Sequence, residues 1–293
     1  MKWLTFLVAT VIVCTSASAQ NQNDSTPAKK TDTLRVGNMV IVKKADSKRV
    51  VKFTIGGNDD EHKKRSRLST SWGGIDIGFS NYIDKTDYSN TGNYVVNRPG
   101  YPALNKSDFD LRTGKSININ LWIFTQQLAL TKDRHFNLKY GLGLELNNYR
   151  YRSSVTYKEG GPIPYTSPTA YSSGAFVFRD SISFKKNKLF TEYITVPLML
   201  SINSNPYKSD RSFVLSFGGS VGYLVKTRNK QVSSERGKWK NRGDYDLEKF
   251  KLAYQAEIGY GQIHLYGSYS PNSMYQRGLD MRPYTIGLRF GGN

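Results

Sequence analysis

The feature that most constrains this chain is an alternation of apolar with small or polar residues, repeated in eight segments from Trp72 onward. A period of two marks a β-strand with one apolar face. Ile75, Ile77 and Phe79 alternate with Gly74, Asp76, Gly78 and Ser80; Ile117 to Ile123 with Ser116, Asn118 and Asn120; Leu138 to Leu146 with Lys139, Gly141, Gly143, Glu145 and Asn147. The fourth segment sets Ile194 to Ile202 against Thr195, Pro197, Met199 and Ser201, and the fifth Phe213 to Val225 against Ser216, Gly218, Ser220 and Gly222. The last three set Phe250 to Tyr260 against Lys251, Gln255, Glu257 and Gly259; Ile263, Leu265 and Tyr269 against His264, Tyr266 and Ser268; and Tyr284, Ile286, Leu288 and Phe290 against Thr285, Gly287 and Arg289.

The connections are an independent test, because nothing in the strand pattern dictates their lengths. In order they run to about 32, 5, 37, 9, 23, 2 and 13 residues, with ends uncertain by a few residues. Long and short alternate throughout, as they do between the two ends of a membrane barrel, and eight strands return both ends of the barrel to one side. The expected fold is all-β: a transmembrane antiparallel up-and-down barrel of about eight strands, spanning 71–293. Pro197 has no N–H, so it is expected at a bulge or irregularity.

Alternation alone leaves open which face is inside. A soluble lipocalin-like carrier puts its apolar residues within the barrel. Three features favour lipid outside: long loops, an unbroken apolar face carrying Tyr140, Tyr223, Tyr254, Tyr260, Tyr284 and Phe290, and a polar face of balanced charge. That face carries Asp76, Glu145 and Glu257 with Lys139, Lys251 and Arg289, expected to form an interior ion-pair network. Mean hydropathy of −0.54 with 13% aromatic residues suits strands in which only every second residue is apolar.

The first residues, Met1-Lys2, an apolar run from Trp3 to Val13, and Thr15-Ser16-Ala17-Ser18-Ala19, read as a secretory signal peptide over 1–19. The run is too short for a membrane helix. Cys14, the single cysteine, lies within it, so the mature chain is expected to have no disulfide, thiolate metal site or thiol nucleophile. Residues 20–70 read as a periplasmic extension: a polar tail, a small hairpin of Thr33-Leu34-Arg35-Val36 and Met39-Val40-Ile41-Val42 around Gly37-Asn38, and a charged linker over Asp59–Arg65.

The strand Tyr193-Ile194-Thr195-Val196-Pro197-Leu198 resembles a recurrent motif of the outer-membrane β-barrel family of Bacteroidota, which includes PorT-like proteins, and of OmpA/OmpX-type small barrels. Tyr140–Glu145 and Phe217–Tyr223 are similar to family strands, and the closing Tyr284, Ile286, Leu288 and Phe290 resemble an assembly-machinery recognition strand that departs from the pattern in its Gly291-Gly292-Asn293 tail. The resemblance implies an outer-membrane location in a Gram-negative bacterium, with both termini periplasmic, and barrel-assembly machinery as a partner in biogenesis. Its functional range is envelope integrity, adhesion or secretion-system assembly.

The residues propose little chemistry. Of three histidines only His264 faces inward with hydroxyl and acid residues, and Ser268, four residues along the strand, is more than about 10 Å away by strand rise. No catalytic residue, metal site or cofactor is expected. The formal charge of +19, in an exported chain, points to lipid or lipopolysaccharide phosphate and away from nucleic acid. The candidate phosphate contacts are Lys226, Arg228, Lys230, Arg236, Lys238, Trp239, Lys240 and Arg242 in the third long loop. The second long loop, with Gly160-Gly161-Pro162-Ile163-Pro164-Tyr165, suits display to another surface. A narrow channel and a lipid-A-modifying enzyme remain alternatives to a non-enzymatic barrel.

Overall fold

A computed structural model describes three N-terminal strands, Asp32–Val36, Met39–Lys43 and Lys52–Ile55, and residues 66–290 apart from 209–210. The proposed signal peptide, charged linker and C-terminal Gly-Gly-Asn lie outside the described residues. The N-terminal hairpin is present, with Val36 opposite Met39, and the strand Lys52–Ile55, absent from the sequence reading, joins it as a third strand.

The eight expected strands form a closed ring. They are β1 (Leu68–Asp84), β2 (Ile117–Ala129), β3 (Phe136–Arg150), β4 (Lys186–Asn203), β5 (Phe213–Ser233), β6 (Phe250–Tyr260), β7 (Ile263–Tyr269) and β8 (Met281–Phe290). Each pairs antiparallel with its neighbours in sequence, and β8 closes on β1 from Met281 opposite Asp84 to Phe290 opposite Ile75. Closure leaves no barrel edge unpaired. The connections 130–135, 204–212 and 261–262 are short and share one end; 85–116, 151–185, 234–249 and 270–280 are long and share the other.

The ring is inside-out relative to a soluble protein. Ile77, Phe79, Leu198, Phe217, Leu252 and Ile286 are exposed on the outer wall, whereas Asp76, Asn118, Lys139, Glu145, Glu257 and Arg289 are buried within. Small inward residues let the walls approach: a Cβ at Gly287 would lie 2.4 Å from the Cα of Gly78 opposite. Pro197 lies at no bulge. Its missing N–H interrupts the ladder to β3, which resumes in the same register at Leu198 opposite Tyr140. The two bulges lie at Ile123, facing the left-handed Gly73, and at Val225, the extra residue where Glu192 pairs with Lys226 but Tyr193 with Leu224.

The long connections fold into a cap with its own core. Val155–Lys158, Phe176–Arg179 and Val95–Val96 form a three-stranded sheet, and Tyr94, Phe109, Tyr149, Tyr151, Tyr157 and Tyr245 are buried beneath it. Tyr157 stacks on Tyr275 with rings 6.4 Å apart, and its hydroxyl lies 2.8 Å from those of both Tyr151 and Tyr275. Burial pushes the Tyr157 and Tyr275 hydroxyls well above the ordinary tyrosine range, so they remain neutral hydrogen-bonding groups. The second long loop, read from sequence as a display segment, supplies two strands of this sheet because Val155, Tyr157, Ala175 and Val177 turn inward onto the tyrosines.

Candidate functional site: a lumen network and a basic sheet face

Inside the barrel the six predicted charges converge. Arg289 donates to both oxygens of Asp76, at 2.7 and 2.8 Å, and also to Glu257; Lys139 donates to both oxygens of Glu257, at 2.9 and 3.0 Å. Lys251 pairs with Glu145, which also accepts from Asn147 at 2.8 Å. Asp76 is completed by Asn120 at 3.0 Å and the Trp122 indole at 2.8 Å. Three carboxylates thus meet three fixed cations. Charges this deep persist only when paired and hydrogen-bonded. Side chains from all round the ring meet across the lumen, which is filled as expected of eight strands.

His264 also belongs to this network. Its Nδ1 hydrogen-bonds Glu257 and its Nε2 lies 3.0 Å from the Gly261 carbonyl, while the Ser268 hydroxyl bonds Thr285 at 2.7 Å. The hydroxyl that sequence reasoning weighed as its partner, Ser268, is thus held by Thr285.

The second assembly lies just beyond the apolar wall at the long-loop end. β5 outruns β6: past Tyr223 it pairs instead with a return strand, Gly237–Arg242, in a projecting hairpin. Lys226, Arg228 and Lys230 are thus strand residues, and the third long loop is shorter than the sequence suggested. On this hairpin and the adjoining ends of β3 and β4, Arg150 lies opposite Lys188, Lys188 opposite Lys230, and Lys230 opposite Lys240, a row of four cations across four strands. The next rows place Lys186 and Lys238 either side of Val232, and Phe190 beside Arg228 and Arg242.

Like charges directly opposite one another in a sheet repel. Burial, then the neighbouring Lys186, Lys230, Arg228 and Arg150, bring Lys188 down to about 8. Lys230 is lowered by desolvation and by Lys186, Lys238 and Lys240. Glu192 lies opposite Lys226 at the near edge, but the four-cation row has no acid of its own.

Six of the eight candidate phosphate contacts share this face, and two do not. Arg236, in the hairpin turn, bonds Asp180 at 2.7 and 3.2 Å, and strand alternation turns Trp239 to the opposite face. Sequence reasoning missed Arg150, Lys186 and Lys188. They lie up to about ninety residues away in the chain, and only the strand register brings them alongside. The predicted assembly residues are on β8, with Ile286, Leu288 and Phe290 exposed on the outer wall.

No family model and no curated protein matches the sequence. Among solved structures, the chain is similar to Ail, the attachment invasion locus protein of Yersinia pestis, in complex with the heparin analogue sucrose octasulfate. Identity is 17% over 75% of this chain and 96% of that one, with a TM-score of 0.28. At that level the likeness adds nothing to the fold, which rests on the closed ring itself.

Proposed function

We propose that this protein is a non-enzymatic outer-membrane barrel that serves as a closed, rigid mount and is held at the outer leaflet by lipopolysaccharide phosphates. One observation carries the reading: the same outward strand faces run from hydrocarbon-like side chains, past a single Glu192–Lys226 pairing, into a row of cations with no acid of its own. Along β4 the outward residues are Leu200, Leu198, Val196 and Ile194, then Glu192, Phe190, Lys188 and Lys186; along β5 they are Phe217, Val221 and Tyr223, then Lys226, Arg228 and Lys230. An apolar wall matches lipid tails, and cations at its upper margin match headgroup phosphates. The outward apolar face argues against a soluble carrier, and the side-chain-filled lumen argues against a channel.

In this orientation the short turns and both barrel ends face the periplasm, preceded by the N-terminal extension after signal cleavage. The closing strand, with Tyr284, Ile286, Leu288 and Phe290, serves as the assembly signal. Envelope integrity, adhesion and support of a secretion assembly are all roles for such a mount.

Two measurements test the reading. The chain is expected in the outer-membrane fraction as a band that shifts on boiling in detergent; a soluble periplasmic protein with no shift overturns it. Neutralising Lys188, Lys238, Lys240 and Arg242 together is expected to weaken lipopolysaccharide binding and flatten its salt dependence. Unchanged binding by a heat-modifiable barrel rejects the phosphate contact alone.

A further inference from the structure

The opposite face of the basic hairpin forms one wall of a cleft of about 510 Å³, within the size range of small-molecule sites. Alternation along the return strand turns Lys238, Lys240 and Arg242 one way and Trp239 and Asn241 the other. The cleft floor is the outer face of the cap sheet, where Thr156 lies opposite Phe178. Pro162, Pro164 and Tyr165 form the far wall.

We infer that this cleft binds a saccharide carrying a carboxylate, of the hexuronic-acid type. A pyranose ring has a flat C–H face, a rim of hydroxyls and, in a uronic acid, one negative charge; the cleft offers a counterpart to each. Trp239 is 52% exposed, makes no indole hydrogen bond among the described residues, and presents a flat apolar surface for the C–H face. Asn241 Nδ2 already donates to the Tyr157 carbonyl at 2.9 Å and Gln231 Nε2 to the Thr156 hydroxyl at 2.7 Å, which holds both amides in place and leaves their oxygens to accept from sugar hydroxyls.

The charge preference follows from Lys158. Arg236 and Asp180 neutralise one another in a bidentate pair, whereas Lys158, 5.9 Å from the centre of the Trp239 ring, has no carboxylate partner among the described residues. One net positive charge beside an aromatic platform suits a carboxylate on the sugar that stacks there. The walls are also set in advance. Tyr165 adopts a left-handed backbone with φ of 63°, donates its hydroxyl to the Arg179 carbonyl at 3.0 Å and packs edge-on against Phe178. A wall already ordered reduces the entropy lost on binding.

The site does not depend on the lipopolysaccharide reading, because its residues lie on the other face of the hairpin. Acidic sugar has two sources, a soluble polyuronate and the acidic core sugars of lipopolysaccharide, and the experiment uses both. Purified full-length protein in detergent is titrated with a glucuronic-acid-containing disaccharide, with delipidated and dephosphorylated core oligosaccharide, which cannot engage the phosphate face, and with maltose, following binding by calorimetry. The acidic disaccharide or the core is expected to bind, and maltose about tenfold or more weaker. Binding of only one acidic ligand identifies the source.

Trp239→Ala is expected to abolish binding, and Lys158→Gln to bring the acidic ligand down to the maltose level. Lys115→Gln, at an exposed lysine of the first long connection outside both the cleft and the basic face, is expected to leave it unchanged. Failure of both acidic ligands overturns the inference, as does equal affinity for maltose or full binding by Trp239→Ala. A heat-shift gel on each variant shows that the barrel is folded, so loss of binding is not loss of structure.

Discussion

The lumen of the barrel and the cap above it draw on the same strands yet pack by opposite rules. Along β3 the inward side chains are Lys139, Gly141, Gly143, Glu145 and Asn147, and then, two positions on, the buried Tyr149, followed by Tyr151 just past the strand end. Along β4 the inward series passes from Ser201 and Thr195 to Tyr193 and Leu189. Below the change, polar and small groups predominate inside, with Met199 the large apolar one on β4, and apolar groups stand outside; above it, tyrosines and Leu189 join Asn187, Asn229 and Gln231 inside, and cations stand outside. The fold has no reason to invert its packing unless the surrounding solvent changes, so the inversion marks the height at which hydrocarbon gives way to water. The bulge at Val225 lies at this height. The extra residue shifts β5 from even positions inward to odd ones, so that Asn229 and Gln231 face the cap while Arg228 and Lys230 face out.

The largest break in this comparison comes from the lumen. Glu257→Ala leaves Lys139 and Arg289 without a shared acid, and a broken buried pair costs about 3–5 kcal/mol. Loss of the folded, heat-shifted band, or a denaturant midpoint lowered to match, is the expected result. Next is the outer wall. Leu198→Arg, at a position 57% exposed, is expected to destabilise the barrel in lipid by about 2–4 kcal/mol. In a soluble protein an exposed position tolerates arginine with almost no effect, so a silent substitution there would remove the case for lipid.

The cap responds differently. Tyr157→Phe keeps the ring and its stacking but takes one hydrogen bond from each of the Tyr151 and Tyr275 hydroxyls, at about 1 kcal/mol. Local opening of the cap, read by hydrogen exchange, is expected to rise while the barrel's own midpoint is unmoved. Equal loss in both would mean that the two regions unfold as one.

The smallest effect concerns the cation row and carries a definite sign. Lys188 titrates near 8 in the folded protein, below the ordinary lysine value of 10.5, so between those pH values the unfolded chain binds more protons. The repulsion is fully present below pH 8, and stability of the hairpin region rises as pH increases through about 8 toward 10.5. Lys188→Gln is expected to reduce that rise, leaving the smaller part due to Lys230, and to stabilise the region by a few tenths to about 1 kcal/mol at low salt. Limited proteolysis across the pH range measures both, and added lipopolysaccharide is expected to suppress the effect in the parent protein.

Much of the fold was legible because a closed barrel makes local demands. Each strand must alternate, and each connection must suit one end. Even the interior charges were readable, since Asp76, Lys139, Glu145, Lys251, Glu257 and Arg289 interrupt the polar face at inward positions. The cap was not legible in this way. Its core gathers Tyr94, Tyr157, Tyr245 and Tyr275 from separate loops, where no periodicity marks which tyrosine turns inward.

The sequence by itself determined the strand count, which residues share a face and the alternation of loop lengths, because a period of two is written residue by residue. Only the tertiary structure decided that Arg150, Lys188, Lys230 and Lys240 stand in one row, and that Trp239 and Arg236 turn away from it. Register and bulges relate strands distant in the chain. One inserted residue, Val225, reverses the faces of everything beyond it on β5.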